Sequence, residues 1–168
     1  MPAATRIAAI ANQAHPGVEL EQQATQSGAR RLGMEVKWLP VHSAGDFPGA
    51  FAALARENWH GLIAVPDTLI NLQAKAIADF AAQRRIPAVS GWAEFAEAGN
   101  FLSYGPSLRG FYRHMSTYVD RLLRGAKAAD LPVERPSELE LTVNLKAAGA
   151  IGLRVPQPLL LRASRLIE

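Results

Sequence analysis

The 168-residue sequence contains no cysteine. Disulfides, thiol nucleophiles and cysteine-based zinc sites are therefore excluded. Long hydrophobic runs are also missing: no apolar stretch approaches the roughly 20 residues that cross a bilayer. The opening segment, Met1 to Ala11, has one arginine and a short apolar stretch, too little for a secretory leader. As written, the chain carries no export address, which predicts a cytoplasmic location. A surplus of one charge sign is lacking too, with 18 Lys and Arg against 15 Asp and Glu, a net charge of +3. The pI near 9.6 would suit nucleic acid, but the basic residues are dispersed. The pairs Arg30-Arg31 and Arg84-Arg85 fall near predicted helix C-termini, where cations complement the helix dipole. No nucleic-acid-binding motif accompanies them, so no nucleic-acid partner is expected.

Motifs of several enzyme classes are absent as well. After the first apolar run stands Asn12-Gln13-Ala14-His15-Pro16-Gly17, with no Gly-rich dinucleotide fingerprint and no phosphate-cradling Walker sequence anywhere. Ser90 lies in Val-Ser-Gly-Trp, which lacks the glycine that precedes a hydrolase nucleophile. The four histidines, His15, His42, His60 and His114, share no metal-ligand spacing. His60 and His114 read as structural or solvated. No cofactor, no metal and no catalytic residue is expected.

What is present is a rhythm of short apolar runs and longer amphipathic ones, in a chain that is 49% hydrophobic and 20% charged. Strands are predicted at Arg6 to Ala11, Glu35 to His42, His60 to Val65, Ile86 to Val89 and Phe101 to Tyr104. Between them fall helices at Pro16 to Leu32 (stopped by Gly33), after Asp46 as a cap, at Thr68 to Arg85, and at Trp92 to Ala98. This βαβαβαβαβ order predicts a parallel sheet with right-handed crossovers and helices on both faces, a three-layer Rossmann-like α/β fold. After Pro106, the residues Leu108, Phe111, Tyr112, Met115, Tyr118, Val119 and Leu122 form an apolar stripe on one long helix. Gly125 to Pro136 reads as a loop. Leu139 to Asn144 alternates apolar and polar residues, which predicts an edge or half-exposed strand. Short helices are expected at Lys146 to Ile151 and Pro158 to Ile167.

In an open parallel sheet, ligands bind beyond the C-terminal strand ends. The loops there carry Asn12, Gln13 and His15; His42 and Ser43; Pro66, Asp67 and Thr68; Ser90, Gly91 and Trp92; and Ser103, Tyr104 and Gly105. Polar groups beside a few aromatic rings suit a small polar or amphipathic solute. Helix N-termini behind the first, third and fourth loops offer N–H groups to a carboxylate. Asp67 reads either as an N-cap for the helix at Thr68 or as an acceptor for an amine or hydroxyl of the solute, and the two roles are compatible. Trp92 and Tyr104 either stack on a ligand or close the core at the sheet edge. A lone carboxylate without a paired base does not point to catalysis.

Several stretches carry a resemblance: Ile86-Pro-Ala-Val-Ser-Gly-Trp-Ala-Glu-Phe-Ala-Glu-Ala-Gly99, Leu102-Ser-Tyr-Gly-Pro-Ser-Leu108, Tyr118 to Val133 and Glu140 to Leu153. In this order they resemble the C-terminal half of ABC transporter substrate-binding proteins, the family of tryptophan/tyrosine-type and related solute receptors, from about Arg6 to Glu168. The resemblance implies one lobe of a type I periplasmic-binding-protein-like fold. In such receptors two lobes close by hinge motion on a solute and deliver it to a membrane permease. Asn12 matches the family's asparagine after the first strand, Asp67 the acidic residue ending the third, and Ser103-Tyr104-Gly105 its Ser-Tyr-Gly turn. Gln13, His15 and Val18 depart from the proline, asparagine and serine of many relatives.

On this reading the chain is a single α/β domain, with a core lobe at about 5–105 and 138–168 and a long helix at about 107–124. In full-length relatives, which are roughly twice as long and periplasmic, that helix would pack on the other lobe. Here its stripe is expected either to fold onto its own lobe or to mediate a homodimer through Leu108, Phe111, Met115, Tyr118 and Leu122. The expected ligand-binding set is Asn12, Gln13, His15, Asp67, Thr68, Ser90, Trp92, Ser103 and Tyr104, for a solute such as an amino acid or aromatic acid. An effector-sensing or protein-interaction domain is the alternative, as is a non-binding remnant of a longer receptor. A small enzyme ranks last.

Overall fold

A computed structural model describes residues 4–136 and 138–168. Strand β1 (Arg6–Asn12) lies inside the sheet, and its run Ala8-Ala9-Ile10-Ala11 is fully buried. Small side chains there let helices approach both faces. Strands β2 (Glu35–Val41) and β3 (Gly61–Ala64) flank β1 in parallel, followed by β4 (Ala88–Ser90) and β5 (Leu102–Pro106), also parallel. The sheet order is β2-β1-β3-β4-β5-β6-β7, with β6 (Leu139–Asn144) antiparallel to β5 and β7 (Arg165–Ile167) parallel to β6. The alternating first five strands are thus parallel as predicted, and the sheet as a whole is mostly parallel.

The two faces are filled unequally. On one, Ala8, Ile10, Val41, Leu62 and Ala64 meet the helices α2 (Phe47–Ala55), α3 (Thr68–Leu72), α4 (Ala74–Arg84) and α5 (Ala93–Glu97). Phe47, Leu54, Ile70, Ile77 and Phe95 fill that layer, and the Phe51 and Phe80 rings stack at 4.7 Å. On the other face, α1 (Val18–Arg31) covers a smaller group of Ala11, Val18 and Val65, with Trp38 and Ile63 packed against it. Arg30 and Arg31 occupy the last turn of α1 and Arg84 that of α4, where the sequence pattern put them.

Four expectations need correction. The helix predicted over Thr68 to Arg85 is broken at Gln73, whose ψ of 7° leaves the helical region. Ile70, Ala74 and Ile77 all bury on one side, so the apolar period runs straight through the break and does not report it. Asp46 does not cap α2 with its side chain. Its carboxylate reaches back to the His42 and Ser43 N–H groups at 2.7 and 2.9 Å. These two bonds hold its pKa below the usual carboxylate range.

Strand β6 is no edge: Leu141, Thr142, Val143 and Asn144 are all buried between β5 and β7. At its end the polar Asn144 is met by hydrogen bonds and not by solvent: its amide donates to the Ala96 carbonyl at 2.9 Å and accepts from the Ala147 N–H. The predicted last helix ends early. After α7 (Leu145–Ala150), α8 (Gln157–Arg162) stops and the chain docks on β6 as β7, pinned where Ser164 accepts from the Leu141 N–H and donates its own N–H to the Leu141 carbonyl.

At the N-terminal end of the strands, Glu57 accepts from Arg6 at 2.6 Å and also pairs with Lys37, while the Arg6 guanidinium lies 4.5 Å over the Trp59 ring. Hydrogen bonds from Lys37 and then Arg6 hold the Glu57 pKa down, against the opposing pull of burial. His60 immediately precedes β3 and its Nδ1 accepts from the Thr5 and Arg6 N–H groups, a structural role.

Between β5 and β6 the chain makes an excursion. Ser107 caps α6 (Leu108–Leu123) by accepting from the Gly110 N–H at 3.1 Å. The chain then turns at Gly125, where φ is +93°, and returns alongside the helix. Tyr118 donates to the Pro132 carbonyl at 2.8 Å, and His114 meets Glu134 at 2.8 Å. No residue of α6 is buried. The stripe therefore does not fold onto its own sheet, the first of the two outcomes expected for it.

Candidate functional site

The C-terminal ends of β1, β3 and β4 bring their loops side by side. Asn12 closes β1, and its side chain is held at both ends. Its Oδ1 accepts from the Ala14 N–H at 3.0 Å, and its Nδ2 donates to Asp67 Oδ1 at 3.1 Å. Asp67 stands extended before α3 and caps it, the same Oδ1 accepting from the Leu69 N–H at 2.7 Å. Both side chains are half-buried. The cap and the interloop bond thus share one oxygen, which leaves Asp67 Oδ2 outside both bonds. The Leu69 N–H, one of the donors that a carboxylate would need at this helix start, is already used by Asp67.

His15 is half-buried behind Asn12. Its Nδ1 accepts from the Gly17 N–H at 3.2 Å and lies 3.6 Å from Glu21. Gln13 is exposed at the rim, with its own N–H tied to the Val41 carbonyl, and Thr68 is exposed at the first position of α3. Ser90 ends β4 and Trp92 precedes α5, both half-buried. These seven residues gather at one end of the sheet.

Ser103 and Tyr104 do not join them as a turn. Both are inside β5, which runs on to Pro106. Ser103 pairs with Ser90 on one side and Thr142 on the other and is 1% exposed, with no partner for its hydroxyl among the described residues. Tyr104, its neighbour in the strand, points to the opposite face and is 52% exposed. One residue is sealed in and the other is open to solvent on the far side, so the two do not present a shared surface to one ligand.

The floor beneath these loops was less visible in the sequence. A Cβ at Gly91 would meet Pro66 Cγ at 2.7 Å, and one at Gly105 would collide with the Gly91 carbonyl oxygen. The Pro66 ring therefore packs on Gly91, and the Gly91 backbone packs on Gly105, which stacks three successive strand ends closely. A separate cavity of about 330 Å³ lies between α6 and the returning segment, lined by Phe111, Arg113, His114, Glu134 and Glu138 among others. None of the nine expected ligand residues lines it. Among the described residues, no group of His, Asp or Glu is arranged to hold a metal ion, and no helix is long and apolar enough to cross a membrane.

A mostly parallel sheet wrapped by helices, with polar loops gathered beyond its strand ends, defines one lobe of a periplasmic-binding-protein-like fold. The chain belongs to the ABC transporter substrate binding protein family, whose model matches residues 1–167. Solved structures agree on the fold. A conserved domain protein from Vibrio cholerae covers 99% of this chain with a TM-score of 0.90 at 20% identity. An ABC domain from Streptococcus pneumonia in complex with L-Trp covers 99% with a TM-score of 0.90 at 18% identity. CD0873 from Clostridium difficile, a substrate binding protein with adhesive properties in its ligand-free, open structure, covers 99% with a TM-score of 0.73 at 17% identity. This chain spans only 56%, 58% and 55% of those chains respectively. No curated protein matches it.

Proposed function

We propose that this chain is a solute-binding lobe that takes up a small amphipathic molecule, an amino acid or an aromatic acid, without catalysing its conversion. The observation that carries this reading is the Asn12–Asp67 hydrogen bond, which ties two strand-end loops together and holds the carboxylate at their junction. Asp67 Oδ2 is the acceptor for an ammonium or hydroxyl group, and Trp92 offers an aromatic wall beside it. Gln13, His15, Thr68 and Ser90 form the polar rim. Ser103 acts from beneath, supporting β5 against β4, and Tyr104 lies outside the contact set. The family membership and the fold shared with an L-Trp complex favour an amino-acid-like solute. The role fits delivery to an ABC permease on the periplasmic or extracellular side, with one lobe forming one wall of the cleft.

Thermal-shift titration with a panel of amino acids and aromatic acids tests the proposal. A stabilising shift for at least one solute is expected, because a ligand that binds only the folded state raises the melting temperature by mass action. It should vanish in Asp67→Asn, which keeps a capping oxygen but loses the charge. No shift across the panel, or an unchanged shift in Asp67→Asn, would reject the assignment. A second reading, a protein-interaction lobe, is favoured by the uncovered stripe of α6.

A further inference from the structure

Helix α5 is too short to place itself. It has five residues, fewer than an isolated helix needs to persist in water, and the carbonyls of its last turn lack α-helical partners. Two buried asparagines meet them. Asn100, 1% exposed, donates to the Phe95 carbonyl at 3.0 Å and to the Ala74 carbonyl at 2.8 Å. Asn144, 4% exposed, donates to the Ala96 carbonyl at 2.9 Å and accepts from the Ala147 N–H at 2.9 Å.

These bonds lead to Trp92. It stands extended before α5, and its carbonyl accepts from the Phe95 N–H at 3.0 Å. Phe95 thus joins Trp92 through its N–H and Asn100 through its carbonyl, and its buried ring anchors the link. The other hydrogen of the Asn100 amide goes to Ala74, which opens α4 directly after the break at Gln73. That break ends α3, whose cap is Asp67. One side chain therefore spans the helix pair led by Asp67 and the helix led by Trp92. Leucine, close to asparagine in size, would fill the same space and leave both carbonyls unmet, so packing alone does not call for an amide here.

We propose that Asn100 and Asn144 are positioning residues for Trp92, buried amides that fix the last turn of α5 and, through it, the angle at which the indole meets a solute. The proposal rests on the reading of Trp92 as the aromatic wall of the solute site. Both asparagines are sealed from solvent, so neither touches the solute and each acts through α5. Selectivity is then set from behind the site. With α5 loosened, an aromatic solute loses its stacking surface, whereas an aliphatic amino acid held by Asp67 does not.

Fluorotryptophan labelling tests this without any solute. The chain has three tryptophans. Trp59 is buried in the larger core and Trp38 packs on the smaller one, so their fluorine NMR lines are internal references, and Trp92→Phe identifies the third line. Asn144→Ser keeps an oxygen that can cap α7 but is too short to reach Ala96, and Asn100→Ser releases Phe95 and Ala74. In each variant the Trp92 line is expected to shift or broaden while the other two stay in place. For an aromatic acid that stabilises the wild type, Asn144→Ser should raise the dissociation constant by up to about tenfold and leave that of an aliphatic amino acid unchanged. An unmoved Trp92 line in both variants, equal movement of all three lines, equal weakening of both solute classes, or loss of folding in both variants would each overturn the proposal. A Trp92 line that moves alone, in a protein whose wild type no solute stabilises, would uphold the positioning and reject only the solute reading.

Discussion

Asn12 and Asp67 are 55 residues apart in the chain, yet the Asn12 amide donates to the Asp67 carboxylate at 3.1 Å across two neighbouring loops. The bond exists because β1 and β3 are adjacent and in register, Ile10 opposite Ala64, so the residues that follow each strand emerge together. It makes Asp67 a structural member of the fold as well as a candidate ligand. Substitutions separate these roles.

Asp67→Ala removes the cap of α3 and leaves the Asn12 amide without its acceptor. A lost cap costs about 1 kcal/mol and a lost hydrogen bond about as much. The melting temperature is expected to drop by about 5 °C for a chain of this length. Asp67→Asn should lose much less, and Thr68→Ala, at an exposed position, should change it by about a degree at most. Differential scanning fluorimetry without ligand provides the comparison.

The glycine floor makes a sharper prediction. Gly105→Ala forces a methyl group into the Gly91 carbonyl, where the nearest atoms are backbone and do not yield cheaply. A loss of about 3 kcal/mol or more, as in overpacked cores, is expected. Gly28→Ala is the control, since Gly28 is inside α1 and nothing lies within 4 Å of its added Cβ. It should stabilise the protein by about 0.5–1 kcal/mol through helix propensity. Urea unfolding of both variants would show shifts of opposite sign.

Arg85 offers a stabilising substitution. It ends α4 with φ 54° and ψ 41°, the only positive φ among the described non-glycine residues. Arg85→Gly relieves that left-handed conformation and should raise stability by about 0.5–1 kcal/mol. A decrease in the urea midpoint would show that the arginine side chain contributes more than its backbone costs.

Glu57 sets a pH dependence at the base of the sheet. Its folded-state pKa is depressed, first by Lys37 and then by Arg6. Its contribution is therefore fully present above the ordinary glutamate range and is lost as pH falls through the folded value. Glu57→Gln should melt lower than wild type at neutral pH, and the two curves should converge in acid. Parallel curves down to low pH would assign the acid sensitivity elsewhere. Asp46, bonded to the His42 and Ser43 N–H groups, adds a step of the same sign.

Much of the sheet was legible in the sequence because each early strand is a local signal, a short apolar run bounded by a helix stop. The run around Leu62 and Ile63 and the run around Ile10 needed no partner to be recognised. Strand β7 was not legible: Arg165–Ile167 pairs only because Ser164 and Leu141 meet, a contact between distant segments. The burial of Asn144 was hidden for the same reason, since its amide is answered by the Ala96 carbonyl of α5 and by the Ala147 N–H, not by water. At the site, the strand-end rule named loops that the sheet brings side by side after β1, β3 and β4. It could not find that Ser103 is sealed under α5 and Tyr104 turned away, because which face a residue takes follows from the pairing of β5 with β4.

The excursion between β5 and β6 has a thermodynamic consequence of its own. A helix with no buried residue of its own is held by the Ser107 cap at its start and, along its length, by the Tyr118–Pro132 bond and the His114–Glu134 pair. In a monomer it can open without taking β1 or β3 with it, so its amide protons should exchange with solvent far faster than those of Ala9 or Ile63. The chain is then two cooperative units of unequal stability on one backbone, and whatever covers α6 lengthens the lifetime of the weaker one.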